Sequence, residues 1–259
     1  MSHETIRVAI DADGIATVTL DRPEKHHAMN AAMIAELTEA AANLGANANV
    51  RAVVLASSGP SFCAGGDLEW MRAQQAADRA GKIAEASRLS AMLAALDALP
   101  KPLVARVQGN VYGGGLGLLA VADVAIAAEG VRLALTETKL GLIPATIGPF
   151  VVGRMGQGFA RQVFFSGMAF GTDFALRAGL LHEVCPADQL DARVRRQTDA
   201  ILKTAPGAVA AAKALCKRLG RGAEDEIATS IASLADRWES DEAQARIRAF
   251  LGEEATDGR

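Results

Sequence analysis

The sequence predicts an α/β fold with a helical C-terminal segment. Short β-branched, apolar runs that read as buried strands alternate with stretches of helical period. Two glycine-rich turns, Ser61-Phe62-Cys63-Ala64-Gly65-Gly66-Asp67-Leu68 and Val107-Gln108-Gly109-Asn110-Val111-Tyr112-Gly113-Gly114-Gly115-Leu116-Gly117, each follow such a run and precede a helix. From Pro186 onward the pattern is helical throughout.

The elements follow in order. Residues 7–11 and 15–20 alternate apolar and polar around Ala12-Asp13-Gly14, a hairpin signal. Asn30 is placed to cap a helix over 31–44, whose Met33, Ile34, Leu37, Ala41 and Leu44 share one face. Residues 52–56 form a strand broken by Ser57-Ser58-Gly59-Pro60. Asp67 can cap a helix over 68–77, and a longer helix over 81–99 stops at Pro100 and Pro102. A strand over 103–107 leads into the second glycine turn and a helix over 115–121. Strands are expected over 124–127 and 132–135, and a turn over 140–144. Helices are expected over 146–155, 158–166 and 172–178, with a last strand over 181–184. Four helices then cover 187–203, 207–219, 224–237 and 241–251, and the tail frays. Beyond the similarity of the two glycine turns, the sequence offers no internal repeat.

Composition narrows the function classes. Half of the 259 residues are apolar and the formal net charge is −3, with no basic run. This balance gives no electrostatic support for nucleic acid or an anionic membrane. Cys63, Cys185 and Cys216 are odd in number and spaced for neither a disulfide framework nor zinc, so a reducing, cytoplasmic compartment is expected. No signal peptide is expected at the N-terminus and no transmembrane helix anywhere.

The glycine turns invite several readings. Two turns that aim backbone N–H groups at one point can stabilise an oxyanion such as a thioester enolate. A dinucleotide fingerprint starts well at Gly113 and Gly115 but fails at Leu118, and no Gly-Lys-Ser/Thr follows for a phosphate loop. Ser166-Gly167 lacks the upstream glycine of a hydrolase elbow. Cys63 reads as a packing residue, because no histidine is locally placed to activate it. His26 and His27 read as a solvated pair and His182 as structural; no cluster has metal-ligand spacing, and no metal is expected.

Taken together, the motifs resemble the crotonase (enoyl-CoA hydratase/isomerase) superfamily. The resemblance is carried by Arg22-Pro23, Ala28-Met29-Asn30, 62–68, Gln108-Gly109, Gly113-Gly114-Gly115, 122–127 and 137–144, and spans 8–250. It implies a spiral of repeated ββα units over 1–195 holding a CoA thioester site. A helical segment over 196–259 would serve trimerisation, giving a homotrimer or a dimer of trimers. It further implies an oxyanion hole from the backbone N–H groups of Ala64 and Gly114. Ala64, Gly65, Gly66, Asp67, Leu68 and Gly114 would line the thioester and pantetheine, with Lys25 and Ala28 near the CoA entrance. CoA would come as part of the substrate, with no separate cofactor. In the C-terminal helices, Arg237, Arg246 and Arg248 would make a basic face and Phe250 an apolar cover.

The family's hydratases usually carry two glutamates. Here Glu137 matches one, and Gly117 stands at the position of the other. One carboxyl flanked by apolar segments suits proton transfer to and from carbon. Finer motifs, 66–71, 112–118 and 141–152, resemble a bacterial subgroup that hydrates methylglutaconyl-CoA or carboxygeranoyl-CoA and also has glycine at the position of Gly117. The expected activity is therefore an enoyl-CoA hydratase for a branched or carboxylated acyl chain, with Arg154 as a candidate for the extra carboxylate. The alternatives are an enoyl-CoA isomerase using Glu137 alone and a CoA-ester-binding or scaffold protein with little catalysis.

Overall fold

The computed structural model describes residues 3–219 together with Asp241. The helices expected over 224–237 and, apart from Asp241, over 241–251 lie outside the described residues, as do Arg237, Arg246, Arg248 and Phe250.

The chain opens with β1 (Ile6–Ile10), β2 (Ile15–Leu20) and α1 (Ala31–Ala46). There follow β3 (Ala52–Ser57), β4 (Ser61–Cys63), α2 (Leu68–Ala76) and α3 (Arg79–Ala98). The next turn of chain is β5 (Leu103–Val107), β6 (Asn110–Tyr112) and α4 (Gly114–Val121). Then come β7 (Val124–Ala128), β8 (Leu133–Ala134), a 3-10 turn Glu137–Leu140, α5 (Gly148–Ser166) and α6 (Thr172–Arg177). The described part closes with β9 (Glu183–Cys185), α7 (Leu190–Leu202) and α8 (Pro206–Leu219). Helix α7 runs unbroken through residues 195 and 196.

The repeat that the sequence conceals is topological. Strands β1-β2-β3-β5-β7-β9 form a six-stranded sheet and β4-β6-β8 a three-stranded one. Each of β3, β5 and β7 in the large sheet is followed by one strand in the small sheet and then by helix. This is the ββα spiral. The β1–β2 pair is antiparallel and every later pairing is parallel. Both faces of a mostly parallel sheet are covered, and β3 is accordingly buried along its whole length. Met33, Ile34, Leu37 and Leu44 of α1 enter the same core as Leu55, Leu103 and Val104.

Local signals act as expected in most elements. Asn30 caps α1 by accepting the Met33 N–H at 2.9 Å. Asp67 caps α2 through the N–H groups of Glu69 and Trp70. The two helices expected on either side of Gly156-Gln157 form the single element α5, broken internally where Gly156 takes φ 72°. Strands β4 and β6 were hidden inside the glycine turns. At three residues each, they are too short to display alternation.

Candidate active site

The small sheet brings the chemistry together. Its strands are parallel, with Ser61 opposite Asn110 and Val111 opposite Leu133. Their carboxyl ends therefore point the same way. The first glycine turn leaves β4, the second leaves β6, and Glu137 follows β8. Ligands of parallel sheets bind at this end. A methyl group built on Gly113 would lie 3.6 Å from both Glu137 Oε1 and Gly65 Cα. All three components thus meet at one point. Gly113 itself has φ 48°, and Gly65 has φ 93°, conformations that strain any residue with a side chain.

A cavity of about 870 Å³ opens at this point. Gly66, Leu68, Gly114 and Glu137 line it, along with residues assigned no site role from the sequence, including Trp70, Met71, Leu89, Thr146 and Ile147. Ala64, Gly65, Asp67, Lys25 and Ala28 are outside its lining. Lys25 pairs with Glu69 at 3.6 Å on the surface. Asp67 is consumed by its capping bonds and by Arg22.

The expected oxyanion donor at Ala64 requires correction. Its N–H donates to the His26 carbonyl at 3.0 Å. The structure offers Gly66 instead. Met29 pairs with Gly66 as a parallel bridge: the Met29 N–H donates to Gly65 O at 2.7 Å and the Asp67 N–H to Met29 O at 2.9 Å. Such a bridge turns the N–H of the middle residue, Gly66, away from Met29. Among the described residues nothing accepts this N–H, nor that of Gly114. Gly114 is the first residue of α4, so its N–H is one of the unpaired donors at a positive helix end. The pairing with Met29 that selects Gly66 has no residue-type signature in the sequence.

A buried clamp holds the first turn. Arg22 donates to Asp67 Oδ2 at 3.0 Å and to the Ala28 carbonyl at 2.6 Å, its side chain 15% exposed and that of Asp67 5%. His27, expected to be solvated, is instead fully buried. Its Nδ1 accepts the Arg22 N–H at 3.0 Å, so Nε2 carries the proton and donates to Ser58 O at 2.6 Å. His26 stays on the surface beside Ser61 Oγ. Arg22→Ala is expected to cost about 3 kcal/mol by leaving a buried carboxylate without its cation. Urea unfolding checks this, and an unchanged midpoint would refute the clamp.

Glu137 is half-buried, and its Oε2 is buried without a hydrogen-bond partner among the described residues. Burial pushes its carboxyl above the ordinary 4.5, and the backbone N–H groups of Glu137 and Thr136 offset only part of that rise. Among the described residues it is the one acid lining the cavity. Gly117, at the position of a second acid, is packed shut: a Cβ there would lie 2.9 Å from both Ile147 Cγ2 and Leu93 Cδ1.

The remaining candidates have structural roles. Burial drives the Cys63 thiol up to about 12, which leaves it protonated. His182 Nδ1 accepts the Ala125 N–H. Arg154 donates to the carbonyls of Ala122 and Asp123 and does not line the cavity. Among the described residues no group of acidic, histidine or cysteine side chains could hold a metal ion, and no helix is long and apolar enough to cross a membrane.

Among the described residues, two backbone N–H groups without an acceptor and one raised carboxyl meet at one largely apolar cleft, an arrangement suited to an enzyme site. Residues 11–254 match the enoyl-CoA hydratase/isomerase family, and the chain belongs to it. It is similar to the crystal structure of an enoyl-CoA hydratase from Shewanella pealeana, at 33% identity and TM-score 0.93, covering 98% of this chain and 96% of that one. It is similar to Pseudomonas aeruginosa AtuE at 35% identity and TM-score 0.91, covering 97% and 98%. Among curated proteins, the enoyl-CoA hydratase AFT6-1 of Alternaria alternata is 31% identical over 84% of this chain and 72% of its own length.

Proposed function

We propose that the protein is an enoyl-CoA hydratase adding water across the C2–C3 double bond of a branched or carboxylated acyl-CoA, of the methylglutaconyl-CoA type. The observation that carries this reading is the convergence of Gly66, Gly114 and the raised Glu137 carboxyl on one cavity. The thioester oxygen accepts from the N–H groups of Gly66 and Gly114. Glu137 takes a proton from water as its oxygen bonds to C3, and charge moves onto the thioester oxygen. The same carboxyl then returns a proton to C2 as the enolate collapses. A carboxyl with a raised pKa is suited to both transfers. Each backbone donor contributes most where the developing negative charge is largest.

The reading includes CoA as part of the substrate and no separate cofactor, metal, nucleic acid or membrane partner. It includes a cytoplasmic location and assembly as a homotrimer or dimer of trimers, with residues 196–259 as the assembly segment after a core of 1–195. Sedimentation giving only monomers at micromolar concentration would remove the assembly proposal.

One observation favours a second reading. Ile147 and Leu93 fill the space beside Gly117, so a single carboxylate serves the cavity. Moving a double bond from C3–C4 to C2–C3 needs one carboxyl to carry a proton between C4 and C2, with no water. Product analysis on 2-enoyl-CoA and 3-enoyl-CoA substrates separates the two. Hydroxyacyl-CoA containing oxygen from labelled water supports the hydratase; a migrated double bond without added oxygen supports the isomerase. Tight CoA-ester binding with no turnover of either would refute both.

A further inference from the structure

We propose that Arg72 and Lys82 form a recognition site for a carboxylate carried on the far part of the acyl chain. The inference deepens the reading above and rests on it.

Both residues line the cavity that holds Glu137, Gly66 and Gly114. They come from different elements, Arg72 from α2 and Lys82 from α3, so the fold brings two exposed cations to one cavity. The nearby charges on that side are already paired. Lys25 meets Glu69, Arg88 meets Glu85, and Trp70 Nε1 donates to Glu85 at 3.1 Å. The side chains of Arg72 and Lys82 engage no ion pair or hydrogen bond among the described residues, and the Lys82 backbone N–H donates to Asp78 O. The amides of Gln74 and Gln75 line the same cavity and add neutral donors.

Among the described residues the lining is therefore electrically polarised, with one acid, Glu137, beside Gly114 and two cations whose side chains make no ion pair elsewhere in it. An alkyl chain laid against them would strip water from charged groups and return nothing. A carboxylate would instead accept charge-assisted hydrogen bonds, for which the guanidinium of Arg72 supplies a planar fork. Arg154, the candidate read from the sequence, is committed to backbone carbonyls and outside the cavity, which leaves this pair as the cationic lining.

Phosphates of the CoA moiety offer the same anionic chemistry from another source, and the experiment separates the two. The full-length protein and its R72Q, K82Q and R72K variants are assayed on methylglutaconyl thioesters and on their terminal methyl esters. Each is presented as the CoA and as the pantetheine thioester. The parent is expected to favour the acid over the ester by about tenfold in kcat/KM, the scale of one charge-assisted hydrogen bond. R72Q and K82Q are expected to bring that ratio toward unity on both carriers, and R72K to retain part of it. Raised salt should narrow the parent's preference. A parent that turns over acid and ester equally overturns the proposal while leaving the hydratase reading intact. Variants with the parent's ratio, or a collapse confined to CoA thioesters, overturn it as well. Turnover of no thioester overturns the hydratase reading and the proposal with it.

Discussion

Replacing Glu137 by glutamine is expected to lower kcat by about three orders of magnitude, in the range supplied by a positioned acid–base group, and to raise the melting temperature at neutral pH. Both effects have one cause. The carboxyl is half-buried with an unpartnered oxygen, so its charged form is poorly solvated and its pKa is raised above 4.5. In the window between 4.5 and the raised native value, the native state holds more protons than the unfolded state. Stability therefore falls as pH rises through that window. Above it the native protein carries the full desolvation cost, and glutamine removes that cost while keeping the shape. The stability gain of Glu137→Gln should accordingly be present at neutral pH and vanish in acid below 4.5. Thermal melts at both extremes and initial rates at saturating substrate check the two halves. A variant within tenfold of parental kcat would end the role given to Glu137.

Much of this site was legible in the sequence because its parts are local. Asn30 and Asp67 announce their helices, Pro100 and Pro102 end one, and the glycine turns mark the ends of β4 and β6 even though those strands are too short to see. Glu137 is marked by the family resemblance, with its apolar flanks in support. What the sequence could not supply are pairings between distant segments. The N–H left without an acceptor among the described residues belongs to Gly66 and not to Ala64 because His26 O and Met29 take up the neighbouring groups, and a backbone carbonyl leaves no mark on residue type. The burial of His27 likewise depends on Arg22 and Ser58 closing around both ring nitrogens. The ββα repeat is a property of strand order, which unlike side chains can satisfy, so no sequence similarity beyond that of the two glycine turns accompanies it.

Gly117→Glu is expected to destabilise the fold by about 4 kcal/mol, combining overpacking with the burial of an uncompensated charge. Gly117 lies within α4, and its missing Cβ is bounded by Ile147 and Leu93, which are 2% and 0% exposed. Neither wall has a polar group to receive a carboxylate. Thermal or urea unfolding of the single variant measures the cost; a variant as stable as the parent would mean that these two side chains do not close the position. Ile147→Ala removes the Cγ2 atom at 2.9 Å and should recover part of the loss. The double variant should therefore be more stable than the two single costs predict, by about 1 kcal/mol or more, as expected for residues in contact. The same cycle bears on the chemistry. In the sequence, Gly117 stands where the family's hydratases usually carry a second glutamate. The packing makes it a filled position, so restoring the acid requires giving up the Ile147 contact that shapes the cavity beside Thr146. Among the described residues a single carboxylate thus lines the cavity through steric closure as well as residue identity, and on the proposed mechanism the water or proton that a second acid would handle falls to Glu137.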